Sequence, residues 1–200
     1  MSKIQIIYCH PSTDSYTYQI LEKLTSSLNE LNLSFDISDL YALNFQSDMS
    51  LEEYRREGFA NLLMPIPEEV KEEQRKLKEA DTVIFLYPVW WSDCPAKLKG
   101  WFDRVYTVGY AYGNNEVEIE KKWKPIQNGI VICTAGHPNE FLEEIGIAKS
   151  MKNVMLDDRL GNRFVNKDMI ILGGTIDKEK VRRQHQEIIE SFAKTLVTQT

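Results

Sequence analysis

Five short apolar runs rich in β-branched residues, with helix-spaced segments between them, restrict this chain more than any other feature. Lys3 to Cys9 (KIQIIYC) is the first, and beyond the polar stretch HPSTDSY the apolar residues Ile20, Leu24, Leu28 and Leu31 recur at helical spacing. Leu33 to Leu40, Thr82 to Tyr87, Gly129 to Thr134 and Met169 to Leu172 read as four more strands. Ser50-Leu51-Glu52-Glu53 is a capping-box pattern that opens a short helix. Residues 67–81 (PEEVKEEQRKLKEAD) predict another, with Val70, Leu77 and Ala80 inward and the charge run solvated. Pro95 suits a first helical position ahead of Leu98, Trp101, Phe102 and Val105. Asp177 suits the N-cap of a last helix that carries Val181, Ile188, Ile189, Phe192 and Leu196 on one face. Strands alternating with helices call for a parallel sheet covered on both faces. Five strands in 200 residues fit one doubly wound α/β domain, residues 1–200, in strand order 2-1-3-4-5.

Charge and composition remove several function classes. Twenty-four basic against thirty acidic residues give a net charge of −6 with no basic stripe, so the footprint of a nucleic-acid binder is missing. The longest uncharged run, the 15 residues from Pro125 to Asn139, contains Pro, Gly, Gln, Asn and His and is too short for an integral membrane segment. MSKIQIIYCHPSTD does not read as a signal peptide, and three scattered cysteines (Cys9, Cys94, Cys133) suit a reducing cytoplasmic setting. No G-x-G-x-x-G, P-loop, G-x-S-x-G or C-x-x-C occurs, and the three histidines (His10, His137, His185) form no metal-ligand set with neighbouring residues.

In a doubly wound sheet ligands gather at the carboxyl ends of the strands, which directs attention to the loops beginning at His10, Pro88 and Ala135. The first loop, His10 to Thr17, leads into a helix whose opening amides and dipole suit a phosphate, although Ser, Thr and Asp clusters also simply cap helices. The second holds three of the four tryptophans within twelve residues, Trp90, Trp91 and Trp101. Trp101 lies on an inward helix stripe. Trp90 and Trp91 are adjacent, so at most one easily faces inward, and a flat aromatic cofactor would give the other a surface to pack on. The alternative is that both are buried packing. The third loop, Thr134-Ala135-Gly136-His137, is a small-residue turn that lets backbone amides approach a ligand, and a lone His such as His137 is more often a surface group than a catalytic one.

The segment PVWWSDCPAKLKGWFDRVYTVGYAY (88–112), with HPSTDSYT, DLYALNF (39–45) and TAGH (134–137) in the same order, resembles the NAD(P)H:quinone oxidoreductases of the flavodoxin-like superfamily. The resemblance implies a flavodoxin-like fold and a flavin, FMN or FAD, reduced by NAD(P)H. It assigns His10, Ser15, Tyr16 and Thr17 to the phosphate end, and Pro88, Val89, Trp90 and Trp91 to the isoalloxazine. Thr134, Ala135, Gly136 and His137 fall to the pyrimidine side. Trp91, Tyr110 and Tyr112 would bind substrate, the two tyrosines reaching across a homodimer to roof the partner's site. The Tyr and His that handle protons in better-studied relatives have no match, since Leu142 and Ala148 stand near those places, which leaves His137 and Tyr112 as catalytic candidates.

The implied reaction is ping-pong two-electron transfer from NAD(P)H to a small quinone-like acceptor. An azoreductase or flavin reductase on the same fold is the nearer alternative, and an ancillary regulatory subunit of a potassium-efflux transporter the further one. The charged loop Asp157-Asp158-Arg159, with Arg163 and Lys167, reads either as an adenosine-phosphate contact or as solvated surface.

Overall fold

Alternation within each apolar run decides which side of the sheet a side chain takes. The computed structural model describes residues 3–113 and 125–197. In it β1 (Ile4–Tyr8), β2 (Phe35–Asp39), β3 (Thr82–Pro88), β4 (Ile126–Thr134) and β5 (Phe164–Leu172) form one parallel sheet in the order β2-β1-β3-β4-β5, as the sequence predicts. The α-helices of the described residues are α1 (Tyr16–Glu30), α2 (Leu51–Gly58), α3 (Glu68–Glu79), α4 (Ala96–Val105), α5 (Asn139–Glu144), α6 (Ile147–Lys152) and α7 (Lys178–Val197). None is long and apolar enough to cross a membrane.

Ile7, Val83, Phe85, Val131 and Cys133 face one side, where they share a core with Leu98, Trp101 and Phe102 of α4. Ile4, Ile6, Ile84, Leu86 and Ile132 face the other, with Leu24 and Leu28 of α1 and Ile189 and Ala193 of α7. β3 is buried along its whole length, as a strand covered on both faces must be. Register sets Tyr8 opposite Leu86 and Pro88 opposite Thr134, so the central strands finish along one edge.

Four local expectations need correction. Pro95 is the N-cap of α4, one residue ahead of the first helical position. β4 and β5 begin earlier than predicted, because polar residues on them, Asn128 and then Asn166, Lys167 and Asp168, hide the apolar pattern. The charge run of α3 is only partly solvated: Glu73 is 2% exposed, its carboxylate accepting from Trp101 Nε1 (2.9 Å), Ser38 Oγ (2.8 Å) and Lys76 Nζ (2.7 Å). A buried carboxylate persists when its lone pairs are filled this way. Finally, the supposed charged loop is a π-helix, Asn153–Leu160, followed by a 3-10 turn at Gly161–Arg163. The capping box of α2 is present in both directions, Glu53 N to Ser50 Oγ (3.1 Å) and Ser50 N to Glu53 Oε2 (2.8 Å).

Candidate functional site

Ser15 ends the first loop as the N-cap of α1, its Oγ accepting from Tyr18 N at 3.0 Å. The amides of Tyr16 and Thr17 in the first turn have no acceptor within the helix. Capping and anion binding are therefore compatible here. His10 Nδ1 lies 3.0 Å from both the amide and the carbonyl of Ser12, and accepting from the amide puts the ring proton on Nε2. Burial lowers the His10 pKa, outweighing the Ser12 contact, which favours the neutral ring. Thr17 is buried with its hydroxyl 2.7 Å from that of Thr134, so the first and third loops meet directly.

The second loop carries the most unusual backbone of the site. Trp90 and Asp93 exchange both backbone hydrogen bonds (2.9 and 3.1 Å) and close a two-residue turn in which Trp91 has φ +50° and Ser92 φ +62°. Positive φ at both central positions is the type I′ pattern, normally filled by Asn-Gly. A bulky residue and a serine in that region cost on the order of 1–2 kcal/mol each. The turn throws both indoles outward: Trp91 is fully exposed, at 101%, and Trp90 at 42%, so neither is buried packing. The His10 ring meets Trp90 edge-on with centroids 6.1 Å apart. Pro88 is the last residue of β3 rather than the first of the loop, and Val89 N donates to Thr134 O at 2.8 Å.

A bidentate ion pair seats the far end of the turn. Arg159 Nη1 and Nη2 reach the Asp93 carboxylate at 2.6 and 2.9 Å, and the Arg159 side chain is only 8% exposed. Burial would raise the Asp93 carboxyl, but Arg159 and the Cys94 amide hold it below the usual carboxylate range. Both terminal nitrogens of Arg159 are thus committed to Asp93. Burial pushes the Cys94 thiol up to about 12 despite the nearby guanidinium, which keeps it unreactive near neutral pH.

In the third loop, Ala135 N donates to Leu172 O (2.9 Å), Gly174 N to His137 O (2.9 Å) and Thr175 N to Ala135 O (3.0 Å), tying the turn to the segment after β5. Gly173 permits this approach: a Cβ there would lie 2.8 Å from His137 O and 2.3 Å from Asn139 Oδ1. Gly136 is half-buried, and His137 is exposed with its ring against Phe141 at 4.8 Å. Leu142 and Ala148 are buried in the core.

The two tyrosines part company. Tyr110 packs into the core of its own chain and donates to Gln74 O at 3.1 Å. Tyr112 presents its ring outward while its hydroxyl donates to Glu57 Oε2 at 3.0 Å. Burial and Glu57 push the Tyr112 hydroxyl up to about 12, so it is a poor proton donor. Tyr112 also lines a cavity of about 360 Å³ with Phe102, Tyr106, Arg159 and Arg163. Asp93 and Glu57 escaped the sequence reading and Arg159 entered it only as part of a charged loop, since nothing local pairs Asp93 with a residue 66 positions away.

Tyr16 meets a third histidine. Its hydroxyl lies 2.9 Å from Nδ1 of His185 on α7, a residue only 4% exposed. Burial lowers the His185 pKa, the Gly173 backbone opposing it only in part. The unfolded chain then binds a proton more readily than the folded one. The stability held by neutral His185 is complete above about pH 6.5 and lost as pH falls towards the folded value. The urea midpoint should therefore drop between pH 7 and 5, and His185→Gln should flatten that drop. An unchanged slope in the variant would clear His185 of the effect.

The chain belongs to the flavodoxin-like fold family, which matches residues 2–194. The NAD(P)H:quinone oxidoreductase from Methanothermobacter marburgensis is 42% identical, with a TM-score of 0.88 over 98% of this chain and 96% of that one. The uncharacterized NAD(P)H oxidoreductase YcaK of Escherichia coli (strain K12) is 33% identical over 199 residues, 98% of this chain and 96% of YcaK. The ribosyldihydronicotinamide dehydrogenase-like protein traD of Penicillium crustosum is 31% identical over 182 residues, 81% of this chain and 68% of its own. The resemblance carried by residues 88–112 is borne out, and with it the enzyme class, oxidoreductase.

Proposed function

We propose that the chain is a flavin-dependent NAD(P)H:quinone oxidoreductase working by a ping-pong mechanism. The carrying observation is the fully exposed Trp91 ring, fixed on a strained turn whose Trp90 meets His10 of the first loop, while Thr17 and Thr134 join the first and third loops. These residues fit a phosphate-tethered planar ring: Ser15, Tyr16, Thr17 and His10 supply donors for an anion, and Trp90 and Trp91 supply apolar faces. A bound flavin, FMN or FAD, supplies the two-electron carrier between NAD(P)H and a quinone-like acceptor.

The protein's part is orientation and charge. Thr134, Ala135, Gly136 and His137 form the polar wall, with His137 holding or delivering a proton at its exposed ring. Tyr112, its hydroxyl committed to Glu57, acts through its ring by covering the acceptor. We assign that cover to a homodimer in which Tyr112 faces the partner's aromatic turn. The three cysteines, free and buried, suit a cytoplasmic setting.

The test is a titration of apoprotein with FMN and with FAD, followed by anaerobic reduction with NADH and NADPH and initial rates with menadione. Tight binding of one flavin and parallel double-reciprocal lines are expected. Protein that binds neither flavin overturns the reading, and intersecting lines overturn the ping-pong order. A panel of quinone, azo dye and free flavin as acceptors ranks the activities available on this fold.

A further inference from the structure

The Trp90–Asp93 turn is held against its own backbone preference, and its closing hydrogen bonds join only its two end residues. Beside the His10 ring against Trp90, the Asp93 side chain gives the turn its polar hold on the rest of the protein. Both carboxylate oxygens are gripped by Arg159, at 2.6 and 2.9 Å, and Oδ1 also accepts from Cys94 N at 2.6 Å. The guanidinium is itself firmly seated. Its Nη1 lies 3.2 Å from Met155 Sδ and 3.3 Å from Cys94 Sγ, and its Cζ stands 5.5 Å from the Phe102 ring centre. The base of this clamp is the π-helix Asn153–Leu160, and π-helical turns are rare and recur at functional sites.

We propose that Arg159 is a positioning residue: by clamping Asp93 from the π-helix it holds the positive-φ turn closed and so fixes the direction in which Trp91 meets the flavin. This inference rests on the flavin reading of the site. Arg159 holds Asp93 directly and shares a cavity with Tyr112, and its effect on the indoles passes through the turn. A lysine, with one point charge in place of a planar fork, reproduces the clamp only in part.

Turn strain supplies a specific test. Glycine takes φ +62° without penalty, so Ser92→Gly lets the turn form with less help from Arg159. FMN dissociation constants are measured for wild type, Arg159→Met, Ser92→Gly and the double variant, together with the urea midpoints of the four apoproteins. Arg159→Met is expected to weaken FMN at least tenfold in the wild-type background and less than threefold beside Ser92→Gly. The midpoint loss should shrink in the same way. Arg159→Lys, which keeps the charge if the methionine variant fails to fold, should lie between wild type and Arg159→Met, with the same dependence on Ser92.

Equal fold-changes in both backgrounds would overturn the proposal, because a purely structural arginine is indifferent to strain at residue 92. So would an Arg159→Met protein that binds FMN as wild type does. Wild-type protein that binds neither FMN nor FAD fails the flavin reading instead, and the urea cycle on apoprotein still decides whether Arg159 holds the turn.

Discussion

Replacing Trp91 by asparagine is expected to weaken flavin binding about ten- to a hundredfold while making the folded protein more stable, by about 1 kcal/mol. The two effects have one origin. Stacking a planar ring on an indole is worth roughly 1–3 kcal/mol, which sets the loss of affinity. Asparagine tolerates the left-handed backbone of position 91 far better than tryptophan does, which sets the gain in stability. An exposed ring contributes little to the fold, so its removal creates no cavity. Flavin titration and urea unfolding of the same preparations check both halves. A variant that keeps wild-type affinity would show that the ring does not contact the ligand. One that loses stability would show that Trp91 is structural.

The second large effect falls on Gly100, within the motif segment yet outside the site. A Cβ built there would lie 2.1 Å from Ser47 O and 2.6 Å from Ser47 Cα, so α4 touches the backbone of the loop after β2 with no room for a methyl group. That loop is held from α4 by Lys97 Nζ to Phe45 O and Arg104 Nη1 to Gln46 O, both 2.6 Å, so it cannot simply step aside. Gly100→Ala is therefore expected to destabilise by about 3 kcal/mol or more. For a chain of this length that is a fall in Tm of roughly 6–12 °C. Helix propensity alone would favour alanine by about 1 kcal/mol, so the sign of the change is diagnostic. Gly58→Ala is the control, since its Cβ would meet only the Tyr54 ring at an ordinary 3.7 Å. Equal melting temperatures for Gly100→Ala and wild type would contradict the close approach.

What could be read in the sequence follows from the range of the interactions concerned. The five strands are legible because alternation and β-branching act within a few residues, and the capping box of α2 spans only four; their order follows from the doubly wound pattern of strands alternating with helices. The segment 139–163 was not legible, since α5 and α6 are six residues each and are separated by Gly146 at φ +77°. In the site, the loops after β1, β3 and β4 could be located from strand ends alone. The outward throw of both indoles could not, because Trp-Ser is not a type I′ sequence and the conformation depends on Asp93 meeting Arg159 across the fold. Glu73 escaped for the same reason: a carboxylate in a charge run looks solvated until Trp101 and Ser38 arrive from distant elements.

The two outer strands of the sheet bear on how copies of the chain can join. β2 turns Asp36, paired with Lys3, outward beside exposed Ile37, and β5 carries exposed Asn166 and Asp168 with half-exposed Lys167 beside exposed Val165, so each rim breaks its apolar surface with charge where another molecule's backbone would have to lie. Such rims discourage ribbon-like growth from molecule to molecule. Association is thereby steered away from extension of the sheet and towards closed contacts between helix and loop surfaces, a geometry that stops at a finite number of subunits.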